Sequence, residues 1–230
     1  DSLWVSLQFI MYYLPPLLVI SLVLALLLHH CQQKAVRLVG QFCFLVPSAI
    51  AVSVVAVIWR WVFGYEVGVM NYVLSLVSLP RLPWLADLPW VWAAITTPTL
   101  WMGCGWSMVL FLVGLQTIPA EQYEAAKVDG ANGWQQFRSI TLPGLRPITV
   151  FIVITQVVGA FGLFAQPQLL TRGGPGNATT PIMMFLYGEA FNGEYPRVGS
   201  AVAMGFVTGL LVFSIVSCVY FIGGRKSDTQ

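Results

Sequence analysis

The chain has 230 residues, of which 57% are apolar and 9% are charged, and its formal net charge is +2. So few charged groups cannot cover a water-exposed surface. The composition therefore excludes an ordinary soluble domain and predicts a protein that lies in a lipid bilayer. The charges are nearly balanced, and we expect no nucleic-acid partner.

Five long apolar segments predict membrane-spanning helices. A hydrocarbon core about 30 Å thick needs about 20 apolar residues per helix, and open stranded or irregular segments would leave backbone groups unpaired in lipid. In chain order, the predicted spans are Val5–His29, Gln41–Phe63, Pro89–Leu115, Ile148–Leu170 and Val198–Ile222. The sequence therefore predicts an all-α integral membrane protein, a polytopic helical bundle in which residues 1–230 form a single transmembrane domain.

The connections before and after the second span contain residues typical of the membrane interface. His29 and His30 end the first span, and because the neighbouring sequence supplies no further ligands, we predict an interfacial pair and no metal site. The stretch 63–88 contains Trp84 and several prolines, which is typical of a short segment near the membrane interface.

Prolines and glycines inside the spans predict interrupted helices. In transporters, broken helices often line the solute pathway. The alternative is that these residues only allow helices to pack closely. The positions are Pro15, Pro16, Pro47, Pro98, Gly103, Gly105, Gly159, Gly162 and Gly205.

A polar segment of residues 119–146 separates the third and fourth spans; we call it the knob. Pro119 suits the first turn of a helix, and the residues up to Val128 contain no helix breaker. Gly130 suits the left-handed position beyond the end of that helix. The first half of the knob is therefore predicted to be one short helix.

The second half of the knob predicts another short helix. Asn132 and Gln135 have the spacing of a capping box, in which each side chain bonds the backbone N–H of the other residue. Pro143 is expected to end this helix. Two short helices at an angle would form a compact body, on which small side chains let a partner surface approach closely.

The spacing inside the knob points to a known family. Glu124-Ala125-Ala126 is followed three residues later by Gly130, and nine further residues separate Gly130 from Ile140-Thr141-Leu142-Pro143. This pattern resembles the EAA loop in the permease subunits of binding-protein-dependent ABC importers. The flanking segments 114–119 and 170–176 resemble the carbohydrate-uptake branch, the maltose-transporter-like inner-membrane components. The resemblance implies the type I ABC importer permease fold.

In this family the knob contacts a cytosolic ATPase. The chain contains no G-x-x-x-x-G-K-[ST] phosphate-binding loop, so we expect no cofactor in this chain, and ATP and Mg would bind to two ATPase partner subunits. The alternative is that the charges only solvate a loop. The residues that the resemblance assigns to coupling are Glu121, Glu124, Ala125, Ala126, Asp129, Gly130, Ile140, Leu142 and Pro143.

The resemblance also implies a second permease subunit, related but different, and an extracytoplasmic solute-binding protein. The segment 170–196 is longer than a tight turn requires, which predicts a structured loop. Its candidate contacts with the binding protein are Arg172, Gly173, Gly174 and Pro175, with Glu189, Glu194 and Arg197 also available. A solvated connector is the alternative interpretation.

The distribution of basic residues predicts the orientation in the membrane. One side has Lys34, Arg37, Lys127, Arg138, Arg146, Arg225 and Lys226, and the other has Arg60, Arg81, Arg172 and Arg197. The side with more basic residues should be cytoplasmic, which places the knob inside and Asp1 outside. Because members of this family usually have at least one further helix, we expect the natural protein to have an N-terminal helix before Asp1. We expect a bacterial inner membrane.

Polar and aromatic side chains inside the spans are candidates for a solute pathway, because a sugar needs hydrogen-bonding groups and flat apolar faces. An amide at membrane depth, such as that of Gln156, is costly unless it finds a partner, and it could also serve only to join helices. Tryptophans in spans are often interface anchors. The candidates are Trp101, Trp106, Gln156, Phe161, Phe164 and Gln166.

We therefore predict the membrane-spanning subunit of an ATP-driven importer for a sugar or sugar-like solute, and not an enzyme. Alternative cargoes are a polyol, a glycosylated osmolyte or glycerol phosphate. An ion-coupled secondary transporter would need ionisable groups at membrane depth, and an intramembrane enzyme would need a nucleophile with a base; neither is apparent in the spans. The four cysteines are widely spaced and are expected to be free thiols.

Overall fold

The computed structural model describes residues 1–192 and 196–224, and within these ranges the chain contains helices and loops but no β-strand. The helices are α1 (Ser2–His30), α2 (Lys34–Ala49), α3 (Val52–Val62), α4 (Val69–Leu76), α5 (Trp90–Thr117), α6 (Ala120–Val128), α7 (Gly133–Gln136), α8 (Leu142–Gly144), α9 (Arg146–Phe161), α10 (Ala165–Leu170), α11 (Ile182–Phe191) and α12 (Val198–Gly224). A π-helical segment, Phe137–Thr141, joins α7 to α8. The prediction of an all-α membrane protein is confirmed.

Three of the predicted spans are single long helices. These are α1, α5 and α12, and each is long and apolar enough to cross a bilayer. The prolines inside α1 and α5 do not interrupt them: Pro15 and Pro16 lie within α1, and Pro98 lies within α5. Proline is tolerated in membrane helices where neighbouring groups satisfy the backbone that it frees.

The second predicted span, Gln41–Phe63, is wrong as a single helix. It begins earlier, at Lys34, and turns by 97° between α2 and α3. Pro47 lies in the last turn of α2 and has no N–H to donate, and Ser48 Oγ donates to the carbonyl of Leu45 at 2.7 Å. The helix ends at Ala49 and starts again at Val52, so this span is broken within the membrane segment.

The fourth predicted span, Ile148–Leu170, is also two helices. Its first part, α9, begins at Arg146 and ends at Phe161, where Gly162 donates to Gly159 and Leu163 to Ala160 in a tightened last turn. A short break then leads into α10. If α2 with α3 is counted as one bent span, and residues 133–144 with α9 as another, the described chain has up to five spans.

The predicted helix end at Pro143 lies one residue before the observed end at Gly144. Residues 133–144 are helical throughout, and this stretch meets α9 at a 59° bend at Leu145. Just before the proline, the N–H of Leu142 donates to the carbonyl of Phe137, five residues back, which makes the segment Phe137–Thr141 π-helical. A π-bulge of this kind is often found at functional positions.

The core lies where α1, α5 and α9 pack together. Near one end, Phe9 and Leu17 of α1 meet Ile95 of α5, and near the other, Ala25 of α1 and Met108 of α5 meet other buried side chains. The second cluster also contains Leu145 and Ile152, so it includes the base of α9. By contrast, the most apolar stretch of α12 has none of its residues buried inside the chain, which leaves that helix open to lipid or to a partner.

The stretch 63–88 contains the short helix α4 and is held by one buried amide. Asn71 is 2% exposed. Its Oδ1 accepts from the backbone N–H of Leu82 at 3.0 Å and from Trp84 Nε1 at 2.9 Å, and its Nδ2 donates to the carbonyls of Tyr65 and Leu82 at 3.1 Å each. This amide therefore ties two ends of the loop together beside the N-terminus of α5.

Candidate functional site

The first half of the knob is the predicted helix. Pro119 precedes it with an extended ψ of 133°, and α6 runs from Ala120 to Val128 without a buried residue. Glu121, Glu124 and Ala125 are exposed. A helix with no fully buried side chain and with these residues exposed is available for a partner.

The turn after α6 confirms the prediction for Gly130. Its φ is +79°, in the left-handed region that glycine adopts without steric cost. The N–H of Ala131 donates to Ala126 at 2.8 Å and that of Gly130 to Lys127 at 3.1 Å, the pattern of a Schellman motif. The carbonyls at the end of α6 are thereby satisfied within the turn.

The capping box at the start of α7 is also confirmed. Gln135 donates its backbone N–H to Asn132 Oδ1 at 2.9 Å, and the N–H of Asn132 donates to Gln135 Oε1 at 2.7 Å. Between the two halves of the knob, the hydroxyls of Tyr123 and Thr141 lie 2.9 Å apart. This bond joins α6 to the π-helical segment, so the two halves are braced against each other.

The outer surface of the knob combines acidic and apolar groups. Besides the glutamates of α6, it presents Val128, which is 88% exposed, and Trp134, which is 69% exposed. The Trp134 ring lies 5.5 Å from that of Phe137. Of the predicted coupling residues, Leu142 and Pro143 are exposed and Ile140 is partly buried. Apolar side chains held in water beside charges are typical of a protein contact.

A cavity of about 320 Å³ lies inside the bundle and opens beside both broken spans. Ser48 and Val52 line it from the break between α2 and α3, and Gly162 and Leu163 line it from the break after α9. The remaining lining residues are Phe9, Tyr13, Thr99, Met102, Gly103, Gln156, Gly159, Ala160 and Gln166. All the lining residues are uncharged, and hydroxyls and amides alternate with apolar surface.

The predicted pathway residues separate into two groups. Gln156 and Gln166 meet at the cavity, whereas Phe161 is buried against Val157 and Ile182. Trp101 and Trp106 are 39% and 54% exposed and lie outside the cavity lining. The ring of Trp101 lies edge-on to Trp59, and the ring of Phe164 packs against Tyr187 at 4.9 Å.

A second concavity, of about 520 Å³, lies between the 170–180 turn and α11; we call it the outer basin. Arg172, Glu189 and Arg197 line it together with Asn177 and Asn192. Of the other predicted contacts, Gly173 is buried, whereas Gly174 and Pro175 are partly exposed. Glu194, Arg225 and Lys226 lie outside the described residues.

The turn that borders the outer basin has a fixed shape. Arg172, Gly173, Gly176 and Asn177 all have positive φ. Thr179 Oγ1 donates to the carbonyl of Gly174 at 2.7 Å and lies 2.8 Å from Thr171 Oγ1. A side chain at Gly173 would overlap the hydroxyl of Thr180. The arginine is therefore presented from a rigid turn.

Sequence reasoning missed several residues at these sites. Tyr13, Ser48 and Thr99 line the cavity, and Tyr123 and Trp134 belong to the knob. An exposed tryptophan in a polar loop and a tyrosine within a long apolar run were the available signals. Tyr13 and its partner Gln156 are 143 positions apart, and Tyr123 and Thr141 are 18 positions apart, so the sequence pattern did not identify these pairs.

A comparison with known families decides the classification. Residues 3–227 match the family described as binding-protein-dependent transport system inner membrane component. The chain belongs to this family. The match includes the knob, the cavity and the outer basin, so all three sites lie on the shared architecture of these permeases.

Several relatives in this permease family have been named. The chain is 34% identical over 221 residues to the sulfoquinovosyl glycerol transport system permease protein SmoG of Agrobacterium fabrum, covering 95% of this chain and 68% of that protein. It is 33% identical over 184 residues to the trehalose/maltose transport system permease protein MalF of Thermococcus litoralis, covering 80% and 61%. A probable ABC transporter permease, YurN of Bacillus subtilis, is 32% identical over 185 residues, covering 80% and 63%. The chain thus spans 61 to 68% of the lengths of these three relatives.

Solved structures of permeases have the same fold. A chain of a bacterial alginate ABC transporter, in complex with an alginate pentasaccharide-bound periplasmic protein, superposes with a TM-score of 0.86 at 24% identity, covering 99% of this chain and 79% of that chain. A second structure of a bacterial ABC transporter that imports alginate superposes with a TM-score of 0.80. The chain therefore has the type I importer permease fold and is a multi-pass membrane protein.

Proposed function

We propose that the chain is the membrane-spanning subunit of an ATP-driven importer in a bacterial inner membrane, and that it forms part of the pathway for a sugar or sugar-like solute. Two ATPase subunits with ATP and Mg, a second permease and an extracytoplasmic binding protein would complete the complex. One observation carries the proposal: a single helix, α9, connects the exposed knob to the polar cavity. Membership of the permease family supports it.

The knob is suited to transmit motion. Its two halves are joined by the Tyr123–Thr141 hydrogen bond and by the tight turn at Gly130, and its second half enters α9 at Leu145, which is fully buried. An ATPase that moves the knob would therefore pull on the base of α9 directly. Gln156 lies on the same helix, at the cavity.

The cavity chemistry favours a neutral, hydroxyl-rich solute. Uncharged hydroxyl and amide groups can exchange hydrogen bonds with a sugar, and the apolar lining can contact its C–H faces. A phosphorylated cargo would favour a basic lining, which makes glycerol phosphate the weaker alternative. The names of relatives that transport maltose, lactose and arabinooligosaccharides support the sugar assignment.

The outer basin is the proposed contact for the binding protein. It lies beyond the broken end of the fourth span, on the side opposite the knob in the predicted topology, and it presents Arg172 from a rigid turn. Exposed charges at the edge of an interface guide association and fix register. The periplasmic protein in the alginate transporter structure is consistent with a partner of this kind.

The test is uptake by the full-length protein, purified with its partner subunits and reconstituted in proteoliposomes. We expect a labelled sugar to accumulate in the proteoliposomes only when ATP is enclosed in them, on the side that the ATPase subunits face, and the binding protein is outside. Accumulation driven by an ion gradient without ATP would contradict the proposal and favour a secondary transporter. Uptake of glycerol phosphate in place of sugars would contradict only the proposal that the solute is a sugar.

A further inference from the structure

Three membrane helices meet at one buried group of polar side chains. Tyr13 of α1 donates its hydroxyl to Gln156 Oε1 of α9 at 2.9 Å, and Gln156 Nε2 donates to Ser107 Oγ of α5 at 3.1 Å. Tyr13 is 4% exposed and Ser107 is fully buried. Polar side chains in membrane proteins form hydrogen bonds between helices, and two such bonds hold the amide of Gln156 in place.

The position of the Tyr13 hydroxyl is determined by its neighbours. Its ring stacks on Phe9 with a centroid distance of 5.2 Å and an interplanar angle of 11°. On the opposite helix, a Cβ at Gly103 would overlap the phenol oxygen. The glycine therefore leaves the space that the hydroxyl needs to reach Gln156.

The same glutamine also lines the solute cavity. A glutamine amide has two N–H donors and an oxygen with two acceptor sites. The contacts with Tyr13 and Ser107 use one donor and one acceptor site. One N–H and one acceptor site of the same amide remain. This pair is complementary to two neighbouring hydroxyls, one that accepts and one that donates.

We propose that Tyr13 and Ser107 are positioning residues that hold the amide of Gln156 at the cavity and thereby set selectivity for solutes with neighbouring hydroxyls. The inference rests on the proposed function of the cavity as the solute pathway. It goes beyond that function because it assigns a role to Tyr13 and Ser107, which need not touch the solute. It also assigns a role to Gly103, which leaves space for the Tyr13 hydroxyl.

The experiment uses the full-length protein assembled with its partners. Tyr13→Phe removes only the hydroxyl, and Tyr12→Phe is the matched control, since Tyr12 is 48% exposed and its ring lies 5.5 Å from Trp92. Uptake of the transported sugar is measured in competition with analogues that lack one hydroxyl. We expect Tyr13→Phe to raise KM by roughly two- to tenfold, which corresponds to one lost hydrogen bond, and to reduce discrimination among the analogues.

A purely structural role predicts a different result. It would lower the yield of assembled complex and the maximal rate without changing the order of analogue preference. Ser107→Ala removes the other partner of the amide and is expected to reduce discrimination in the same way, which gives a second test if Tyr13→Phe assembles poorly. The inference is overturned if both variants discriminate among analogues as well as Tyr12→Phe does.

The Gln156→Ala variant distinguishes failure of the cavity as the solute pathway from failure of the positioning role. If it leaves uptake and selectivity unchanged, the cavity is not the pathway and the proposed function of the site fails. If it changes selectivity while Tyr13→Phe and Ser107→Ala do not, the pathway stands and only the positioning role fails.

Discussion

At the scale of single residues, the knob depends on one backbone angle. Gly130 has φ of +79°, and nothing lies within 4 Å of the position that a Cβ would occupy. Any cost of a side chain there therefore comes from the backbone conformation and not from packing. An L-residue in this region costs about 1–2 kcal/mol, and relief of that strain would rotate α6 relative to α7.

Alanine at Gly130 should therefore uncouple transport. We expect Gly130→Ala to lower the amount of solute imported per ATP hydrolysed, and Gly130→Asn to have a smaller effect because asparagine tolerates the left-handed region. Gly133→Ala is the matched control: its added methyl also meets open space, and its φ is not positive. Equal coupling ratios in Gly130→Ala and Gly133→Ala would contradict the lever role of the turn.

The sequence could predict those conformations that depend on residues close together in the chain. Gly130 and the Asn132–Gln135 capping box depend on neighbours within a few positions, so their conformations followed from the sequence. Gln156 was identified as a costly amide at membrane depth and Gln166 as a pathway candidate, and both line the cavity. The partnership of Gln156 with Tyr13 joins residues 143 positions apart. Only the packed fold brings that pair together.

At the scale of helices, glycines set the closest approach between neighbours. A Cβ at Gly105 of α5 would overlap the carbonyl oxygen of Phe44 in α2. A backbone atom cannot move aside as a flexible side chain can, so the two helices would have to separate. This contact fixes α2 against α5 immediately before the break in the second span, and so it helps to shape one wall of the cavity.

We expect Gly105→Ala to destabilise the folded protein by about 1–3 kcal/mol, the usual cost of overpacking. The measurement is thermal unfolding of the purified full-length protein. Gly209→Ala in α12 is the control, because its added methyl meets open space. If the two variants unfold at the same temperature, the close approach of α2 and α5 is not needed for stability.

The loop 64–88 is held by two different kinds of contact. Asn71 makes buried hydrogen bonds to the loop backbone and to Trp84. Arg81 and Glu66 form an ion pair at 2.9 Å, but their side chains are 51% and 75% exposed. An exposed ion pair contributes about 1 kcal/mol or less, whereas unpairing buried groups costs about 1–3 kcal/mol each.

Replacing Asn71 should therefore loosen this loop far more than replacing Glu66. We expect Asn71→Ala to speed hydrogen exchange of the backbone amides in residues 64–88 by tenfold or more, which corresponds to about 1.4 kcal/mol. Glu66→Ala should change exchange by only a few-fold. Comparable exchange rates in the two variants would show that the buried amide does not hold the loop.

At the scale of the whole molecule, the apolar segments could be predicted but the shape of two spans could not. Hydropathy identified the apolar segments because lipid requires about 20 such residues per helix. Hydropathy does not indicate where the axis of a helix changes direction, so the 97° turn after Pro47 and the break at Gly162 were found only in the fold. Both breaks open on the cavity, as expected for a transporter pathway.

In the proposed mechanism, the knob transmits work from an ATPase through α9 to the cavity. The most direct test is crosslinking in intact membranes, with a photoreactive amino acid at Glu124 on exposed α6 and, as control, at Val202 on α12, which is 66% exposed. We expect Glu124 to crosslink to a nucleotide-binding ATPase, identified by mass spectrometry, and Val202 not to do so. An assembled complex that contains an ATPase but gives no crosslink from Glu124 would show that the knob does not contact the ATPase through α6.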